Sequence, residues 1–214
     1  MVNVKRPYRS PRRREQAEET RRRILTAARE RLVTRGYGGT TIETIAANAG
    51  VAVQTVYATF GSKRSILLAL LDDMAGEADI ARMQAAVAAA SGDPRRQLRE
   101  RIAFTTRFYA AGADLIGIAR TVSGAEPDLR AFWKEGEGRR RKAASRLVAE
   151  WAKAGALAHG QTQESAADIF WALGGPDVFR LFVVERRWSR KRFEAWLGAT
   201  LELLLFGARR TPKS

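Results

Sequence analysis

The stretch from Val51 to Lys63, VAVQTVYATFGSK, gathers side chains suited to gripping a polyanion and touching the edges of flat bases. Gln54 carries an amide that can make two hydrogen bonds with an adenine edge, and Val53 methyls that can rest on the methyl of a thymine. Thr55, Tyr57 and Lys63 offer hydroxyl and ammonium donors for phosphate oxygens. Covalent and acid–base chemistry is poorly supplied. The chain has no cysteine and one histidine, His159 in ALAHGQT, so cysteine–histidine catalysis and histidine-cluster metal sites are excluded. Asp72 with Asp73 and Glu135 with Glu137 read as surface charges, and no phosphate-cradling glycine motif is present. The expectation is a binding protein with no catalytic residue, no metal and no cofactor.

A short helix is needed to present those side chains. Val56 and Phe60, one turn apart, would face inward while Val53, Gln54 and Ala58 project from the other side. Before it, Thr40 and Glu43 have the spacing of a capping box ahead of Ile42, Ile45, Ala46 and Ala49, which predicts a second short helix ending at Gly50. Ahead of both, Ile24, Leu25, Ala28 and Leu32 recur at helical spacing within Gln16 to Arg35, with arginines on the opposite face and Gly36 as a stop. Two short helices across a glycine turn, braced by a longer one, match the helix-turn-helix pattern. Small residues such as Ala46 and Ala49 suit the place where the helices cross, although a glycine between short helices also occurs in ordinary bundles.

Charge agrees with a polyanionic partner. Lys and Arg number 38 against 23 Asp and Glu, a formal charge of +15, which favours nucleic acid or an acidic membrane surface without choosing between them. Arg12, Arg13 and Arg14 belong to a segment with Lys5, Arg6, Arg9, Pro7 and Pro11, expected to be a flexible basic arm over residues 1–15. Such an arm can enter a minor groove or remain a solvated tail. No apolar run of signal-peptide type follows Met1 and no stretch is long enough to span a bilayer, which predicts a soluble, cytoplasmic chain without a membrane role.

The segment TTIETIAANAGVAVQTVYATFGSKRSILLALL, with ILTAARERLVTRGYG before it, resembles the N-terminal domain of the TetR family of bacterial transcriptional repressors. Gly36-Tyr37, Thr41, Ile45-Ala46, Ala49-Gly50-Val51, Thr55, Tyr57, Phe60 and Lys63 carry the likeness. The resemblance implies an all-α protein: a helix-turn-helix domain over residues 16–66, then a helical effector-binding and dimerisation domain over 67–210. It implies phosphate contacts from Thr41, Thr55, Tyr57 and Lys63, with Val53, Gln54 and Thr59 also at the DNA. It implies too a homodimer on near-palindromic double-stranded DNA, its reading helices about 34–36 Å apart, released by a small molecule. Three departures stand out. Thr59 replaces a usual histidine, Ala52 replaces a common capping serine at about 1 kcal/mol of helix stability, and Arg64-Ser65 replace frequent acidic residues. Arg64 is expected to steepen the salt dependence of DNA binding. Non-specific coating of DNA by an architectural protein is the alternative.

Beyond Leu71 the patterning stays helical. A helix capped by Ser62 is expected to run on to Ser91, bent at Gly76; another opens at Asp93-Pro94 and stops at Gly112, followed by a short one over Leu115 to Val122. Among many aromatics, Phe104, Phe108, Trp133 and Trp171 are expected to line a pocket with Arg120 as an anchor, core packing being the other explanation. The last helix is apolar nearly all round. The preceding helix carries LFVV, and the resemblance implies a dimer interface made by these last two helices, with Phe182, Trp196, Leu197, Leu201, Leu204 and Leu205; packing inside one subunit is the alternative.

Overall fold

A computed structural model describes residues 11–74 and 76–208, and among these it is built of helices with no strand. α1 spans Pro11–Arg35, α2 Ile42–Ala49, α3 Val53–Phe60 and α4 Lys63–Asp73. Residues 1–10 of the expected arm lie outside the described residues, while Arg12, Arg13 and Arg14 sit exposed in the first turns of α1 rather than on a flexible tail. The cap of α2 falls one residue later than the spacing suggested. Thr40 is buried and its hydroxyl donates to the Gly36 carbonyl at 2.8 Å, leaving Thr41 to accept the Thr44 N–H at 3.3 Å while Thr44 Oγ1 accepts the Thr41 N–H at 3.2 Å.

The four helices close over Ile24, Ala28, Leu32, Ile45, Val56, Ile66 and Leu67, all fully buried. Each such aliphatic side chain contributes about 1.5–3 kcal/mol relative to exposure, so this small head holds together by its core rather than by helix propensity. The same cluster continues onto Leu115, Ala119 and Leu129, which belong to later helices.

Those later helices are α5 (Glu77–Ala89), α6 (Pro94–Ser123), α7 (Pro127–Lys153), α8 (Gln163–Leu173), α9 (Pro176–Phe179) and α10 (Arg190–Phe206), with Arg180–Glu185 wound as a π-helix after α9. α4 and α5 are separate helices, because the chain turns at Gly76 with extended ψ of 125°. Conversely, α6 runs through the expected stop and only bends at Gly112, whose φ of −128° and ψ of 15° are not helical. Side chains engage the backbone at that bend: Asp114 accepts the Leu115 N–H at 2.8 Å, and Arg29 of α1 donates to the Ala111 carbonyl at 2.6 Å and pairs with Asp114 at 3.1 Å. The body core is centred on Trp151, whose indole N–H donates at 2.7 Å to the buried amide of Gln97. Leu197, Leu201 and Leu205 of α10 lie in this core with at most 1% exposure, so they cannot form the interface expected of them. A helix apolar on all sides here spends one side on its own subunit.

Candidate nucleic-acid interface and body cavity

Gly50 makes the turn between α2 and α3 at φ 63°, and an added Cβ would lie 2.8 Å from Arg23 Nη2, so both backbone and space favour glycine. Arg23, on α1, reaches across to the carbonyls of Ala49 at 2.5 Å and Gly50 at 3.0 Å, satisfying the open end of α2. This fixes the angle at which α3 leaves the head. On α3, Val56 is fully buried and Phe60 is partly covered by the Arg21 guanidinium 5.2 Å above its ring, whereas Gln54, Ala58 and Thr59 are exposed and Tyr57 is 49% exposed. Thr41 is exposed at the start of α2, and Val53 and Thr55 are half-buried. These side chains share the outer side of the reading unit, except that Thr59 spends its hydroxyl on the Thr55 carbonyl at 2.7 Å. No side chain caps α3, in keeping with Ala52 at its N-cap.

Lys63 is tied into the head. Its ammonium donates to the carbonyls of Tyr37 at 2.6 Å and Thr40 at 2.7 Å and sits 4.1 Å over the Tyr37 ring, so one of its three donors is left for a phosphate. Partial burial lowers its pKa, and the Glu126 carboxylate works against that shift. Arg64, next along, reaches Glu126 at 3.5 Å and Asp128 at 2.9 Å. Its charge is thus compensated within the chain, which removes the reason to expect a steeper salt dependence from it.

A cavity of about 420 Å³ opens between α4, α5, α6, α7 and α8. Phe104, Phe108, Trp133 and Trp171 all stand in its wall. Arg120 does not; it pairs with Asp177, and its guanidinium lies 5.6 Å from the centre of the Trp133 ring. The polar groups in the wall differ from the expected ones: Glu137, read as a surface charge, is half-buried there, because Arg140 and Trp171 of the packed helices take up its carboxylate. Arg140 pairs with Glu137 at 2.6 Å and donates to the Trp171 carbonyl, Trp171 Nε1 donates to Glu137 at 3.1 Å, and Arg101 and Tyr109 come from α6. Burial pushes the Tyr109 phenol up to about 12. Arg140 belongs to the basic segment GEGRRRK of α7, and its place in the wall follows from α8 packing against that helix.

Three residues from the end of α4, Leu71, Asp72 and Met74, also line the cavity. Met74 fills the notch opened by the bend at Gly112, where a Cβ would lie 1.6 Å from its Cε. The helix that buries Ile66 and Leu67 in the reading head therefore ends as a wall of the cavity.

Fold and surface together define a helix-turn-helix head on a helical body. Residues 24–70 match the family model of bacterial regulatory proteins of the tetR family, so the head is similar to what that model describes. The HTH-type transcriptional regulator EthR of Mycolicibacterium smegmatis is 26% identical over 110 residues, 51% of this chain; the match spans half the length of that curated relative, 50%. The transcriptional regulator FadR from Bacillus subtilis, solved in complex with stearoyl-CoA, has a similar fold with TM-score 0.67 and 21% identity, covering 88% of this chain and 99% of that one. A protein of Saccharomonospora viridis described as a transcriptional regulator, solved with choline, gives TM-score 0.69 at 22% identity over 88% of this chain and 98% of that one. Among the described residues no helix is long and apolar enough to cross a membrane.

Proposed function

We propose that this chain is a ligand-responsive transcriptional regulator, a repressor that binds near-palindromic DNA as a homodimer and lets go when a small apolar or amphipathic molecule enters the body cavity. The observation that carries this is α4, one rigid element with its start in the reading head and Leu71, Asp72 and Met74 at the cavity wall. A ligand that prefers a different position of that wall shifts the population toward a head spacing that no longer fits two successive grooves. Such coupling typically changes DNA affinity by about 1–3 kcal/mol.

Support for the dimer comes from the outer face of the last elements, where Leu181, Val184, Leu203 and Leu204 are exposed. Phe182 and Trp196, tilted against each other with ring centres 4.4 Å apart, are half-buried, so of the expected interface Phe182, Trp196 and Leu204 remain available while Leu197, Leu201 and Leu205 do not. Effector binding is supported by the fully formed, mostly apolar cavity.

The test is selection from a random double-stranded pool at near-physiological salt, with Gln54→Ala and Tyr57→Phe alongside. A near-palindromic site, relaxed at one position per half-site by Gln54→Ala and weakened uniformly by Tyr57→Phe, supports the reading. Binding without sequence preference would hand the lead to a DNA-coating role, which the charge of +15 favours.

A further inference from the structure

We infer that the body cavity is built for an organic anion, a molecule with an aromatic or aliphatic body and a single carboxylate that seats on Arg101. This rests on the effector reading above and names the chemistry of the molecule. Arg101 projects from α6 into the cavity with five N–H donors, yet among the described residues it has no carboxylate partner. Among the described residues its hydrogen bond is to the thioether sulfur of Met83 at 3.3 Å, a weak acceptor.

The other cavity arginines are satisfied: Arg139 pairs with Glu135 and Arg140 with Glu137, each at 2.6 Å. Burial disfavours the charged form of Arg101, Arg140 nearby adds to that, and the Tyr109 hydroxyl opposes it only in its ionised form. A guanidinium remains charged regardless. An uncompensated, partly desolvated cation in an apolar wall is costly, and an entering carboxylate offsets that cost. Ile80, Phe104, Phe108 and Phe132 suit an apolar body, while of the wall's carboxylates Glu137 is spent on Arg140 and Asp72 lies exposed at the end of α4.

The opposite charge is disfavoured by the same wall. Of the wall's two tryptophans, Trp171 has the guanidinium of Arg140, itself in the wall, 5.0 Å from its ring centre. A cationic ligand at that ring would meet Arg140, and one beside α6 would meet Arg101.

Titration calorimetry of the whole protein with octanoate, octanol, phenylbutyrate, phenylbutanol and choline tests this directly. Each carboxylate is expected to bind about tenfold or more tightly than its alcohol, the gap being salt-dependent. Arg101→Gln should bring the carboxylate down to its alcohol without weakening the alcohol, and Arg101→Lys should keep part of the gap; melting curves confirm that both variants fold. Alcohols binding as well as carboxylates, choline binding more tightly than both, no carboxylate binding, or an intact gap in Arg101→Gln each overturn the inference. DNA release is scored separately. Carboxylates that bind through Arg101 without altering DNA affinity sink the regulator reading and leave the site standing, whereas release by a neutral or cationic compound does the reverse.

Discussion

Replacing Gly112 by alanine should test whether α4 is locked to the body through Met74. The new methyl would stand 1.6 Å from Met74 Cε, 2.2 Å from Sδ and 3.2 Å from Cγ, so the thioether has to leave the notch. Overfilling a packed site costs about 1–3 kcal/mol. The φ of −128° is open to alanine, so narrowing the unfolded ensemble returns about 0.4–1 kcal/mol. The net expectation for Gly112→Ala is a loss of about 1–2 kcal/mol. With Met74→Ala already in place the obstruction is gone, and the same change should be neutral or stabilising by up to about 1 kcal/mol. Urea unfolding of the native chain, both single variants and the double variant gives the coupling directly, expected at about 1–3 kcal/mol. An identical effect of Gly112→Ala in both backgrounds would refute the argument, because the notch would then not be held by Met74.

The Tyr109 phenol, buried and raised to about 12 against about 10 in an unfolded chain, contributes stability that is complete below about pH 10 and is lost as pH rises toward 12. The loss amounts to about 2–3 kcal/mol and should be missing from Tyr109→Phe; superimposable alkaline unfolding profiles of the two would count against it. Arg64→Ala should change the slope of log affinity for DNA against log salt by well under about 0.9, since Arg64 is neutralised by Glu126 and Asp128; a full step of one phosphate contact would contradict the pairing. Leu203→Glu, at a position 59% exposed, should cost the isolated subunit no more than about 0.5 kcal/mol but turn a dimer into a monomer in sedimentation. An unchanged sedimentation profile would move the interface elsewhere.

The sequence by itself determined the reading head and the class of fold. There the signals are local: capping hydroxyls, a glycine at the left-handed turn and apolar residues three and four apart act within one or two helical turns. Even so, Thr41 rather than Thr40 became the cap, because burial of Thr40 spent its hydroxyl on a turn carbonyl. The aromatic wall of the cavity was legible too, since Phe104, Phe108, Trp133 and Trp171 are too large to be placed casually in helices with polar faces. Which charges belong to that wall was not legible. Arg120, Arg101 and Arg140 look alike along the chain, and only the packing of α6, α7, α8 and the turn into α9 decides the matter: Arg120 goes to Asp177, Arg140 to Glu137, and Arg101 lines the cavity with no carboxylate partner among the described residues. The side of α10 that turns inward was decided in the same way. A helix apolar all round carries no mark of its own core, so Leu197, Leu201 and Leu205 could be told from Leu203 and Leu204 only once α6 and α8 had covered them.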